Sequence, residues 1–197
     1  MCGLNGIFAY HSAANAVNEA ELLCTRDHMR ARGPDGAGLW RHEDGRVGFG
    51  HRRLAIIDLS DRALQPLQMP ADGLTIVFNG EIYNFPELKA ELAAAGRVFR
   101  TTSDTEALLH LYALHGRDMV HRLRGMFAFI IFDEETNEYI VARDHIGICP
   151  LYIGELASGS VAIFGSVFGS ALSVLFLSLF RLPSSFFLVP RSFLFEW

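Results

Sequence analysis

Between residues 1 and 153 the sequence runs as strands, then helices, then strands again, and that order constrains the fold of this 197-residue chain more than any bulk property. A parallel doubly wound sheet needs strands that alternate with crossover helices. Strict βαβ alternation is absent here, so an α+β chain with antiparallel sheets is expected. Residues 4–10 read as a strand. Asn18 with Glu21 forms a helix-start signature, and Leu22, Leu23 and Met29 give a helical apolar stripe to about Arg32. Arg32-Gly33-Pro34-Asp35-Gly36 carries two turn dipeptides and reads as a loop. Residues 47–51 and 54–57 read as strands, and residues 75–78 as a strand ended by the turn pair Asn79-Gly80. Pro86 opens a helix in which Leu88 and Leu92 stack, with Gly96 as its stop. Ser103-Asp104-Thr105-Glu106 fits a capping box before a helix with Leu108, Leu111 and Tyr112 on one face. Residues 126–132 and 138–142 read as a hairpin around 133–137.

Charge divides the chain near residue 153. Residues 1–153 hold 35 of the 39 charged residues, and residues 154–197 hold only Glu155, Arg181, Arg191 and Glu196 together with eight of the sixteen Phe. The mean hydropathy of +0.22 therefore comes from the end of the chain. Residues 156–180 are 25 consecutive uncharged positions, long enough for a bilayer but diluted by six Ser and three Gly. A non-native end, packed final elements and a membrane segment are the three readings of 154–197. A membrane is the least favoured partner.

The first 153 residues carry 15 Lys and Arg against 20 Asp and Glu, with no basic stripe, so nucleic acid is not an expected partner. Cys2, Cys24 and Cys149 form no CxxC pair, and no basic-then-apolar leader opens the chain. A reducing, cytoplasmic setting is expected. Eight scattered His lack metal-ligand spacing, so no metal is expected. No P-loop motif is present. Cys24 reads as core, His51 as structural, and Cys149 is given no role.

Cys2 directly follows the initiator Met. Removing Met1 would leave a thiol and a free α-amine on one residue, and an α-amine with a reference pKa of about 8 can act as a base near neutrality. The remaining motifs give this arrangement its meaning. Met1-Cys2-Gly3-Leu4-Asn5-Gly6-Ile7-Phe8 is followed in order by Arg32-Gly33-Pro34-Asp35-Gly36, His51-Arg52-Arg53-Leu54-Ala55-Ile56-Ile57-Asp58 and Phe78-Asn79-Gly80-Glu81-Ile82-Tyr83-Asn84. Ser103-Asp104-Thr105-Glu106, Arg124-Gly125-Met126-Phe127-Ala128-Phe129 and Ala142-Arg143-Asp144 complete the set. Together they resemble the class II glutamine amidotransferases, and within them the glutaminase half of a glutamine-hydrolysing asparagine synthetase.

The resemblance implies a four-layer αββα sandwich of the Ntn-hydrolase type. It also implies hydrolysis of glutamine to glutamate and ammonia through a thioester on Cys2. It places the oxyanion hole at the Asn79 side chain and the Gly80 N–H, where a Gly lets the backbone come close. Arg53 would clamp the substrate carboxylate in two-point fashion. Asp104 would hold the ammonium, with Glu81 assisting, and Leu54 and Ile57 would line the pocket. Glutamine and an ammonia-accepting synthetase domain or chain are the implied partners. ATP and magnesium belong to that synthetase half, and no cofactor is implied in this chain. Two rivals stand beside this reading: an amidotransferase domain feeding a sugar, purine or peptide-like acceptor, and a non-catalytic truncated remnant.

Overall fold

The computed structural model describes residues 1–10, 12–156, 158 and 160–165. The reading of residues 166–197 as a tail or membrane segment lies outside the described residues. The elements follow as β1 (Gly3–Phe8), α1 (Glu19–His28), β2 (Gly36–Arg41), β3 (Val47–Arg53), β4 (Leu67–Met69), β5 (Leu74–Ile82), α2 (Phe85–Ala94), α3 (Asp104–His115), β6 (Gly125–Asp133), β7 (Glu138–Arg143), β8 (Leu151–Glu155) and β9 (Val161–Gly165).

The strands form two sheets. One runs β2-β3-β1-β9-β8 and the other β4-β5-β6-β7, and among the described residues these strands pair antiparallel. Strand periodicity sorts their side chains into three apolar layers. Leu4, Phe8 and Phe49 of the first sheet meet Val77, Ala128 and Ile130 of the second across the middle. Ile7, Ala162 and Phe164 point outward, onto Leu22 of α1. Ile76, Phe78 and Phe129 point outward on the other side, onto Leu88, Leu108 and Leu111 of α2 and α3. The result is α1, sheet, sheet, then α2 with α3: the αββα order expected from the resemblance.

Local chemistry explains the helix starts. The Asn18 carboxamide accepts from the N–H groups of Ala20 and Glu21. Ser103 accepts from Thr105 N–H at the head of α3. Glu106 does not close a capping box. Its buried carboxylate instead accepts from the backbone N–H groups of Arg100 and Thr101, holding the segment before the helix.

The loop expected at 32–36 runs to Asp35, and Gly36 opens β2, which passes the Gln65 backbone only because it carries Gly38: a Cβ there would lie 1.8 Å from the Gln65 carbonyl oxygen. Three further local expectations change. Residues 54–57 are loop, not strand, because their backbone turns away to serve Cys2 and Asp35. Asn79-Gly80 is not a turn: β5 continues through it to Ile82, paired with β6 throughout. Cys24 is exposed rather than core. The first sheet also continues past the drop in charge, since β9 is hydrogen-bonded along β1 from Phe8↔Val161 to Leu4↔Gly165.

Candidate active site

Cys2 sits at the end of the sandwich where β1, β3 and β5 run out. The register Gly3↔Arg52 brings the start of β1 beside the end of β3, and so brings Cys2 beside Arg53. A cleft of roughly 630 Å³, counted to its open mouth, is lined there by Cys2, Arg53, Leu54, Ile57, Gly80, Glu81 and Asp104, among others. The structure therefore gathers into one cleft seven of the eight residues singled out from the sequence. Asn79 is the exception. It is fully buried on the inter-sheet face of β5, behind the cleft wall rather than on it.

The loop after β3 holds the thiol. Leu54 N–H donates to Cys2 Sγ at 3.3 Å, and the Leu54 carbonyl oxygen lies 3.6 Å from it as acceptor for the thiol proton. Two bonds from the 32–36 loop fix this turn: Asp35 N–H donates to the Arg53 carbonyl, and the Asp35 carboxylate accepts from Ala55 N–H at 2.9 Å. Gly33 is required for that approach, because a Cβ there would lie 2.3 Å from the Arg52 carbonyl carbon. Burial pushes the Cys2 thiol above its ordinary value, partly opposed by the Leu54 bond and by the positive N-terminus and Arg53. Met1 lines the cleft beside it, with its sulfur 3.9 Å from the buried thiol of Cys149. Burial holds that second thiol protonated, pushed up to about 11.

Arg53 is nearly buried and donates to the carbonyl oxygens of Ser60 at 3.0 Å and of Asp58. A guanidinium has five N–H donors, so these bonds leave others for a carboxylate. The Asp58 carboxylate ties the same loop down, accepting from Ser60 N–H and Oγ and from Thr102 N–H and Oγ1 at 2.7–3.0 Å. Those hydrogen bonds hold its carboxyl well below the usual carboxylate range.

Asp104 opens α3 and is 4% exposed. Its Oδ2 accepts from Ile82 N–H at 3.1 Å, while its Oδ1 lies 3.5 Å from Ser103 Oγ. Burial raises its pKa, the bonds from Ile82 and Thr105 lower it, and the Glu81 carboxylate raises it again. A buried carboxylate beside a second carboxylate is a site that an incoming ammonium would neutralise.

Along the outer edge of β5 three N–H groups face away from β6, those of Phe78, Gly80 and Ile82, two residues apart as an antiparallel ladder dictates. Phe78 N–H is taken by Gln65 Oε1 at 2.6 Å, and Ile82 N–H by Asp104. Gly80, with φ +154° and its missing Cβ filled by the Met126 carbonyl at 2.1 Å, presents its N–H between them to the cleft. Sequence reading gave no role to Gln65, which lies in no motif, or to Asp58, which ends the motif that begins at His51. Among the described residues no group of three or more His, Cys, Asp or Glu is placed to hold a metal ion.

Two antiparallel sheets sandwiched between helices, with a cleft at one end, match the Ntn-type amidotransferases in fold. One such solved structure is the glutamine phosphoribosylpyrophosphate amidotransferase from B. subtilis in complex with ADP and GMP. It has a TM-score of 0.69 and 26% identity, covering 83% of this chain and 41% of that one. A second, the allosteric regulatory enzyme of purine biosynthesis, has a TM-score of 0.66 and 26% identity, covering 83% of this chain and 41% of that one.

The chain belongs to the family described as glutamine amidotransferase domain, which it matches over residues 1–179. It is 44% identical over 153 residues to an asparagine synthetase (glutamine-hydrolysing) of Bacillus subtilis strain 168, covering 77% of this chain and 24% of that protein. It is 42% identical over 161 residues to the asparagine synthetase (glutamine-hydrolysing) of Zea mays, covering 82% of this chain and 26% of that protein. The chain thus spans about a quarter of the length of these curated relatives.

Proposed function

We propose that this chain is the glutaminase part of an asparagine synthetase, releasing ammonia from glutamine for an ammonia-accepting synthetase domain or chain. The observation that carries the reading is the convergence on Cys2 of an anion clamp, Arg53, a cation clamp, Asp104, and an inward-facing N–H at Gly80. A free amino acid with a side-chain amide needs all three: one group at each end of its head and a donor at the reacting oxygen.

With Met1 removed, the α-amine of Cys2 takes the thiol proton and Sγ attacks the amide carbon of glutamine. The negative oxygen is stabilised by the Gly80 N–H and the Asn79 carboxamide, which must turn toward it from behind the wall. The intermediate collapses, ammonia leaves with the proton returned by the α-ammonium, and a γ-glutamyl thioester remains. The amine then activates water, whose attack regenerates the thiol and frees glutamate. Glu81, at the rim, adds negative charge for the substrate ammonium, and Leu54 and Ile57 wall the side-chain methylenes. While Met1 stays attached it lines the cleft beside Cys2, and the amine sits on the wrong residue.

No cofactor is assigned to this domain; ATP and magnesium would serve the acceptor half. The stronger identity to asparagine synthetases than to the purine-pathway structures supports asparagine synthesis over another acceptor. We also propose a cytoplasmic setting, consistent with free thiols at Cys2, Cys24 and Cys149. No helix among the described residues is long and apolar enough to cross a membrane. The test is ammonia release from glutamine by the wild type and by Cys2→Ala, then asparagine formation when an ATP-dependent synthetase domain and aspartate are added. Ammonia without asparagine would keep the glutaminase and reject the acceptor.

A further inference from the structure

We infer that His51, together with Gln65, is a positioning residue for the oxyanion hole: the two side chains clamp the Phe78 peptide and thereby set where the Gly80 N–H points. The inference rests on the glutaminase reading.

β4 ends its pairing with β5 at Leu67↔Ile76, so beyond Ile76 the outer edge of β5 has no strand partner. An unpaired buried edge costs free energy at every N–H and C=O it leaves bare. At Phe78 two side chains stand in for the missing strand. Gln65 Oε1 accepts from its N–H at 2.6 Å, and His51 Nε2 lies 3.1 Å from its carbonyl oxygen. A carbonyl only accepts, so Nε2 carries the proton. His51 Nδ1 has no hydrogen-bond partner among the described residues, and the side chain is 1% exposed.

The two clamps come from different parts of the fold. His51 lies on β3 of the first sheet, opposite Leu4 and two residues before Arg53, so its bond to Phe78 crosses from one sheet to the other. Gln65 reaches from the loop before β4, and its Nε2 lies 3.4 Å from Thr105 Oγ1 on α3. Four residues beyond Phe78, Asp104 fixes Ile82 N–H. Gly80 therefore sits in a span of β5 pinned at both ends, and glycine is the residue that most needs such pinning because its own backbone is unrestrained. His51 also ties the strand that bears the oxyanion donors to the strand that ends beside Cys2. Loss of that tie would shift the donors relative to the nucleophile while leaving Arg53 and Asp104 in place.

The test uses the chain with Met1 removed. His51→Leu deletes the donor, and His51→Gln keeps an N–H donor of similar reach. Gln65→Met deletes the other clamp should His51→Leu fail to fold. Three quantities are read: kcat and KM for ammonia release, and the Kd for glutamine measured in the Cys2→Ala background. Expected are a fall in kcat of about 30- to 100-fold for His51→Leu and for Gln65→Met, a Kd within about twofold of the parent, and recovery of most of kcat in His51→Gln. A kcat within about twofold of wild type in His51→Leu or Gln65→Met would overturn the inference. So would a parallel loss of kcat and glutamine affinity, or failure of His51→Gln to restore turnover. If the wild type itself releases no ammonia, the glutaminase reading falls first and this inference falls with it.

Discussion

The backbone N–H of Leu54 donates to the sulfur of Cys2 at 3.3 Å, so the nucleophile candidate is held by the loop that follows Arg53 at the end of β3. Burial outweighs this bond and keeps the thiol pKa above its ordinary value. With Met1 attached, Cys2 should therefore alkylate slowly at pH 7, and its rate with iodoacetamide should keep climbing beyond pH 9. Cys24, which is exposed, is the internal control. Mass-resolved alkylation checks this, and a rate for Cys2 that levels off below pH 8 would contradict it.

Gly80→Ala should be costly twice over. The new Cβ would lie 2.1 Å from the Met126 carbonyl oxygen and 2.7 Å from Phe127 Cα, both backbone atoms of the neighbouring strand. Stability should drop by about 3 kcal/mol, and ammonia release by about 100-fold or more. Urea unfolding and the glutaminase assay read the two effects. Unchanged activity in a folded Gly80→Ala protein would remove Gly80 from the oxyanion site.

The same glycine shows why part of the fold was legible in the sequence and part was not. Caps at Asn18 and Ser103 and the hairpin at 133–137 are local, and local chemistry writes them plainly. Asn79-Gly80 spells a turn to any local rule, yet the ladder with Ala128 and Phe127, continued to Ile82↔Gly125, holds it straight. Likewise Gly38 of β2 answers to a distant carbonyl at Gln65, which no local rule reads. Residues 54–57 have strand-forming side chains, but their backbone is claimed by Cys2 and Asp35. Ordered motifs found the cleft residues because the motifs around Cys2, Arg53, Gly80 and Asp104 each contribute to one cleft. Gln65 and the role of His51 escaped, since both act on a backbone carbonyl or amide that no motif names.

His51 should make the fold sensitive to mild acid. Burial favours the neutral imidazole and pushes its pKa down to about 4, whereas the ordinary value is 6.5. Between these pH values the unfolded chain binds more protons than the folded one, so stability falls as pH drops from 6.5 toward 4. Near pH 5 the contribution of His51 amounts to a loss of about 2 kcal/mol relative to pH 7. Unfolding free energies of wild type and His51→Gln at pH 7 and pH 5 isolate it. Equal pH dependence in the two proteins would show that His51 does not titrate this way.

Asp104→Asn keeps an oxygen for Ile82 N–H and removes the charge. The Kd for glutamine should rise about 10- to 100-fold, with little change in stability. In the wild type, burial raises the Asp104 pKa, so the anion is lost at a higher pH than for an ordinary carboxylate and glutamine binding should weaken earlier as pH falls. Calorimetry in the Cys2→Ala background from pH 7 down to pH 4, set beside Asp104→Asn, checks this. A pH-independent Kd would place the ammonium elsewhere.

Ammonia release from glutamine by the chain lacking Met1, set beside Cys2→Ala and beside the same chain with Met1 retained, tests the central claim most directly. Turnover should fall by about 1000-fold or more in Cys2→Ala and should be absent while Met1 remains. Equal release from wild type and Cys2→Ala, or full turnover with Met1 still attached, would contradict a nucleophile that carries its own base.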